Sequence, residues 1–191
     1  MSFINLPEKL LADHYFHLVN QPKLIIITGE SGVGKTTACQ HLIRHAQQQG
    51  CLVAGLVSPP VYRSGRKVAI DLTNIFNGET RRFATTRERI RSEDKTSLST
   101  MDWDFDPTVI AWGNQILDSL PSSPLLILDE LGPLEFTKGT GFTSGLQLLD
   151  EQLHQTACVV IRSACLSIAL ERWPWAQVVD DLPKRSAGVA Q

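Results

Sequence analysis

Apolar residues recur along this chain in two rhythms. Short unbroken runs alternate with stretches where apolar positions return every three or four residues. Leu24-Ile25-Ile26-Ile27-Thr28 belongs to the first kind and predicts a parallel strand buried on both faces. The stretch from Thr37 to Gln49 predicts a helix, with Gly50 where a helix C-terminal glycine belongs. Cys51 to Ser58 predicts a second strand, stopped by Pro59-Pro60. Two hairpin signatures follow: Val61 to Ile70 alternates around Ser64-Gly65, and residues 71–75 and 80–84 flank Asn77-Gly78.

Pro107 opens a helix to about Leu120. Leu125-Leu126-Ile127-Leu128 predicts a central strand, residues 157–161 another, and residues 177–179 a last one. Helices are expected over 146–154 and 166–173. Between Gly132 and Gly145 four glycines predict a mobile loop. Residues 85–105 are polar and carry no clear pattern. The alternation of strands and helices predicts an α/β fold of doubly wound, three-layer, Rossmann-like type, mostly parallel with an antiparallel hairpin insert. The domain reading is an N-terminal helical extension over 1–22, a main domain over 23–182, and a flexible tail over 183–191.

The chemistry sits where the first strand meets the first helix. Gly29-Glu30-Ser31-Gly32-Val33-Gly34-Lys35-Thr36 fits the phosphate-binding P-loop pattern GxxxxGK[ST]. Glycines let backbone N–H groups curl around an anion, and the helix N-terminus adds partial positive charge. Lys35 is placed to reach the β- and γ-phosphates, and the Thr36 hydroxyl to ligate Mg²⁺. With Thr37 these residues form the expected nucleotide-binding set.

Leu125 to Leu128 ends in Asp129-Glu130, as a Walker B strand does. Asp129 is the expected Mg²⁺ ligand through water, beside Thr36. Glu130 is the expected catalytic residue that orients an attacking water or takes its proton. An acidic turn after a buried strand is the plain alternative, and the P-loop upstream argues against it. Arg162 follows the strand ending at Ile161. It is a candidate to stabilise transition-state charge, with an ordinary surface arginine as the alternative. Arg81, Arg82, Arg87, Arg89, Arg91 and Lys95 read either as a phosphate-clamping lid or as a salt-bridged solvated face. Tyr62 and Phe83 are candidates for base stacking, and the four tryptophans are expected to pack.

Composition narrows the classes. The chain has 191 residues, 42% hydrophobic, enough for a full core, and its net charge of -2 gives no general reason to bind nucleic acid or anionic membrane. No apolar run has transmembrane length and residues 1–22 lack a signal-peptide layout, so a cytoplasmic location is expected. The four cysteines include no CxxC pair and read as buried thiols. The N/T-K-x-D guanine-reading motif is absent, although Asp129 to Gly132 satisfies DxxG.

Three segments together carry a family resemblance: the P-loop, then Val53 to Ser58 leading to Gly65-Arg66-Lys67-Val68-Ala69-Ile70-Asp71, then Leu128-Asp129-Glu130-Leu131-Gly132-Pro133-Leu134-Glu135. In that order the chain resembles the small nucleoside-triphosphatases of the THEP type, a P-loop NTPase family that includes a human cancer-related member. The resemblance spans roughly 23–162. It implies Mg²⁺-dependent hydrolysis of ATP, GTP and other triphosphates to diphosphates, with little base preference. Glu135 matches a family glutamate. Pro133 departs from members with lysine there. Two other readings stay open: a small-molecule or nucleotide kinase with an arginine-rich lid, and a nucleotide-gated adaptor like those of molybdenum-cofactor maturation.

Overall fold

A computed structural model describes residues 23–86 and 103–180. The expected N-terminal helix, the rest of the arginine-rich segment and the tail lie outside those residues. Among the described residues one sheet contains β1 (Lys23–Ile27), β2 (Val53–Val57), β3 (Pro60–Arg63), β4 (Arg66–Asn74), β5 (Thr80–Thr86), β6 (Trp103–Phe105), β7 (Leu125–Leu131), β8 (Thr156–Ile161) and β9 (Gln177–Val179). Helices are α1 (Lys35–Gln48), α2 (Pro107–Asp118), a single turn α3 (Pro133–Phe136), α4 (Thr143–Glu151) and α5 (Leu166–Arg172). The strand order is β6-β5-β4-β2-β7-β8-β1-β9, with β3 paired to β4.

Alternation along the strands sorts the core into two layers. Ile25, Ile27, Leu125, Ile127, Cys158 and Val160 face α1, against Cys39, Leu42, Ile43 and Ala46. Leu24, Ile26, Leu126, Leu128, Val159 and Ile161 face the other way, against Trp112, Ile116, Leu117, Leu146 and Leu149. Helices therefore cover both faces, which is why the central strands read as unbroken apolar runs.

The expected hairpins form, and the turn at Ser64 (φ 49°) and Gly65 (φ 74°) places both residues in the left-handed region. Their place in the sheet corrects the expectation of a mostly parallel sheet carrying an insert. Strands β2, β7, β8, β1 and β9 are parallel, while β4, β5, β6 and β3 continue the same sheet antiparallel. The reason is the length of β4. Its last two residues, Thr73 and Asn74, pair with Val57 and Leu56 of β2. The hairpin edge is thus sealed by the parallel half instead of facing water.

The expected mobile loop from Gly132 to Gly145 is also corrected. It folds into α3 and the start of α4. Asn114 on α2 ties it down, donating to the Gly141 carbonyl at 2.8 Å and accepting from the Ser144 N–H at 3.0 Å. Gly145 lets α4 approach closely: a Cβ there would lie 3.3 Å from Leu128 Cδ1.

Candidate functional site

The loop between β1 and α1 turns through three glycines in the left-handed region, Gly29 (φ 126°), Gly32 (φ 86°) and Gly34 (φ 101°). Gly34 is the N-cap of α1. Among the described residues no side chain caps this helix, and its first turn contains no acid, so its N–H groups point into the loop. Lys35 is buried and donates to the carbonyls of Gly29 at 2.8 Å and Glu30 at 2.7 Å. Its ammonium therefore lies inside the loop. Glu30 and Ser31 are exposed at the loop's outer edge, with Val33, Thr36 and Thr37 partly buried.

Strand β7 brings the second half of the site to this loop. Thr36 Oγ1 donates to Asp129 Oδ1 at 3.3 Å across 93 positions of sequence. Asp129 is 3% exposed, and burial pushes its carboxyl up to about 7, opposed by hydrogen bonds from Ser58 and Thr36. Ser58, just past β2, holds it from the neighbouring strand: its N–H donates to Asp129 Oδ2 at 3.2 Å and its hydroxyl to the Asp129 carbonyl.

At the next residue the pairing with β8 slips. Asp129 opposes Val160 and Leu131 opposes Ile161, so Glu130 is the extra residue of a bulge. The Asp129–Glu130 peptide is cis. The carboxylate of Glu130 meets Arg162, whose Nε lies 3.2 Å from Oε1 and whose Nη2 donates to Oε2 at 3.3 Å. Arg162 lies in the site, yet its guanidinium is turned to Glu130.

The two acids, Thr36, Ser58 and Arg162 open onto a cavity of about 110 Å³. Lys67 and Lys138 also line it, and its apolar wall includes Ile70, Phe83, Phe105, Leu134 and Phe142. Phe83 is buried in contact with Phe105 and Phe142, with ring centroids 5.1 and 5.2 Å apart, so it is core and not an open stacking platform. Tyr62 is exposed on β3. Of the arginine-rich segment, Arg81 pairs with Glu79 at 2.8 Å and stacks on Trp112, and Arg82 pairs with Asp71 at 2.5 Å. Those two belong to a salt-bridged face; residues 87–95 lie outside the described residues.

Glu135 gains a definite place. It is buried, with Oε2 accepting from the Gly132 N–H at 2.8 Å and Oε1 from the Phe142 N–H at 2.9 Å. Its carboxylate thereby closes the 132–142 segment beneath the cavity. Burial raises its pKa, and those two N–H groups oppose the rise. Ser58 and Lys67 are the site residues that motif reasoning passed over. Their signals were present but weak: Ser58 ends a strand predicted beside the P-loop unit, and Lys67 lies in the Gly-Arg-Lys hairpin segment.

Known proteins resemble this chain over most of the described residues. The NTPase family model matches residues 24–166, from β1 through Arg162 to the start of α5. The chain belongs to this NTPase family. Among curated relatives, the Nucleoside-triphosphatase THEP1 of Thermococcus kodakarensis is 27% identical over 59% of this chain and 62% of its own length. That of Methanopyrus kandleri is 23% identical over 66% of each. The chain thus spans somewhat less than two thirds of the length of these relatives. Two solved structures share its fold. A human cancer-related nucleoside triphosphatase superposes with a TM-score of 0.63 at 17% identity, covering 83% of this chain and 88% of that one. THEP1 from Aquifex aeolicus gives 0.59 at 19%, covering 84% and 90%. Among the described residues no helix is long and apolar enough to cross a membrane.

Proposed function

We propose that this protein hydrolyses nucleoside 5′-triphosphates, ATP and GTP among them, to diphosphate and phosphate with Mg²⁺. The observation that carries the reading is the contact of Thr36 with buried Asp129, with Glu130 next in the chain. It joins an anion-binding loop to a carboxylate pair at the carboxyl edge of the sheet, where ligands bind in open α/β folds. The names of the THEP1 relatives support the same activity.

The donor set suits Mg²⁺. A hydroxyl and a buried carboxylate are hard oxygen ligands, and this cation commonly uses one or two protein groups plus phosphate oxygens. Thr36 and Asp129 would hold it; when bound, it neutralises charge on the β- and γ-phosphates.

The chain's own residues account for the rest. The loop N–H groups and Lys35 hold the phosphates. Glu130, fixed in its plane by Arg162, orients a water in line with the γ-phosphorus. The water oxygen bonds to that phosphorus as the bond to the β,γ-bridging oxygen breaks. The bridging oxygen keeps the electron pair, and Glu130 receives the water's proton. Arg162 acts through Glu130 and is a positioning residue.

The experiment is phosphate release from ATP, GTP, CTP and UTP, with and without Mg²⁺, together with nucleotide affinity. Mg²⁺-dependent release without an acceptor supports hydrolysis, and Lys35→Ala should weaken binding. A steep rise in ATP loss with one added small molecule would favour a kinase. Tight binding with no release would favour a nucleotide-gated adaptor.

A further inference from the structure

Lys67 is the cation of the cavity that the proposed chemistry leaves unused. Arg162 is engaged by Glu130, and Lys138 has a partner of its own. Among the described residues Lys67 forms no ion pair. Its neighbour is aromatic: the ammonium lies 4.8 Å over the ring of Trp103 on β6. It nevertheless shares the cavity with Thr36, Asp129, Glu130 and Arg162. Burial lowers its pKa, and beyond that the charges of Glu130, Arg162, Asp129 and Lys35 reach it with opposing signs.

The topology explains how it gets there. β4 pairs with β2, and β2 pairs with β7, which carries the two acids. The β3–β4 hairpin rises from this edge, and β6 joins β5 on the far side of β4. Lys67 and Trp103 therefore come from the antiparallel half of the sheet, while Lys35 comes from the parallel half. A bare ammonium held against a ring face keeps its donors for another acceptor, since a ring offers none of the lone pairs that a carboxylate does.

We propose that Lys67 is a second phosphate-directed lysine, which meets the γ-phosphoryl group from the cavity side as charge develops on it, and that Trp103 aims it. The proposal rests on the triphosphate reading above. Lys35 and the loop bind the ground state; Lys67 adds its contact where bond cleavage shifts charge, so it acts on turnover more than on affinity.

The test uses the full chain with Lys67→Met, Lys67→Arg, Trp103→Leu and the Lys67→Met/Trp103→Leu double variant. Readouts are kcat, KM, ADP affinity, and affinity for ADP with aluminium fluoride and Mg²⁺, a mimic of the phosphoryl group in flight. Lys67→Met should lower kcat and the aluminium-fluoride affinity about 100-fold while ADP affinity stays unchanged. Lys67→Arg should restore most of both. Trp103→Leu should lower kcat on its own and add nothing to Lys67→Met. Unchanged kcat and aluminium-fluoride affinity in Lys67→Met overturn the proposal but leave the hydrolase reading intact. Equal weakening of ADP and its aluminium-fluoride complex, without rescue by arginine, makes Lys67 structural and also overturns it. Wild-type protein that releases no phosphate refutes the hydrolase reading instead, and the aluminium-fluoride comparison still decides Lys67.

Discussion

The guanidinium of Arg162 engages both carboxylate oxygens of Glu130, at 3.2 and 3.3 Å. The pair joins the extra residue of a β-bulge in β7 to the residue that follows β8. It is partly exposed, so its worth lies in geometry more than in stability. Arg162→Ala should lower kcat about tenfold with nucleotide KM unchanged, less than the loss of about 100-fold or more expected for Glu130→Gln. Steady-state kinetics on the two variants and their double checks the order, and the double should be no slower than Glu130→Gln alone.

Gly55 lets β2, which leads to Ser58, lie close against β7, which carries Asp129. It lies within β2 at φ 119°, and a Cβ there would stand 1.9 Å from the Ile127 carbonyl oxygen. No side-chain rotation relieves a clash between backbone and Cβ. Gly55→Ala should cost more than about 3 kcal/mol, read as a lower urea midpoint or as failure to fold.

Glu135→Gln tests the carboxylate under the cavity. Its two oxygens each accept a backbone N–H. An amide keeps one acceptor and sets its NH₂ against the other donor. The expected loss is about 2 kcal/mol in urea denaturation.

His154 gives a pH signature away from the site. It is buried after α4, with Nδ1 3.1 Å from the Ser123 hydroxyl oxygen, and burial holds its pKa below 6.5. Below 6.5 the unfolded chain therefore binds a proton that the folded chain resists. Stability should fall as pH drops from about 6.5 through the lowered folded value, by at most about 1.4 kcal/mol per pH unit. His154→Asn, which does not titrate there, should lose that part of the slope in urea titrations at several pH values.

Much of this arrangement is legible in the chain. The switch from an unbroken apolar run to helical spacing, with glycines between, marks β1, the loop and α1. The run ending in Asp129-Glu130 marks β7, and Ser64-Gly65 marks a turn that needs two left-handed residues. These signals are local. The extension of the sheet through β4, β5 and β6 is not, because it depends on Asn74 and Thr73 finding Leu56 and Val57 instead of water. The glycines from 132 to 145 misled for the same reason. Gly145 serves close packing under Leu128, and buried Glu135 and Asn114 pin the segment, none of which spacing reveals. Ser58 and Lys67 join the site through neighbouring strands, so only the strand order discloses them.

The most direct test is single-turnover phosphate release from Mg-ATP by wild-type protein and by Glu130→Gln, with nucleotide affinity measured alongside. The wild type should release phosphate, and Glu130→Gln should lose about 100-fold or more of that rate with its nucleotide affinity unchanged. Full turnover in Glu130→Gln, or no release by the wild type at saturating nucleotide, would contradict the proposed mechanism.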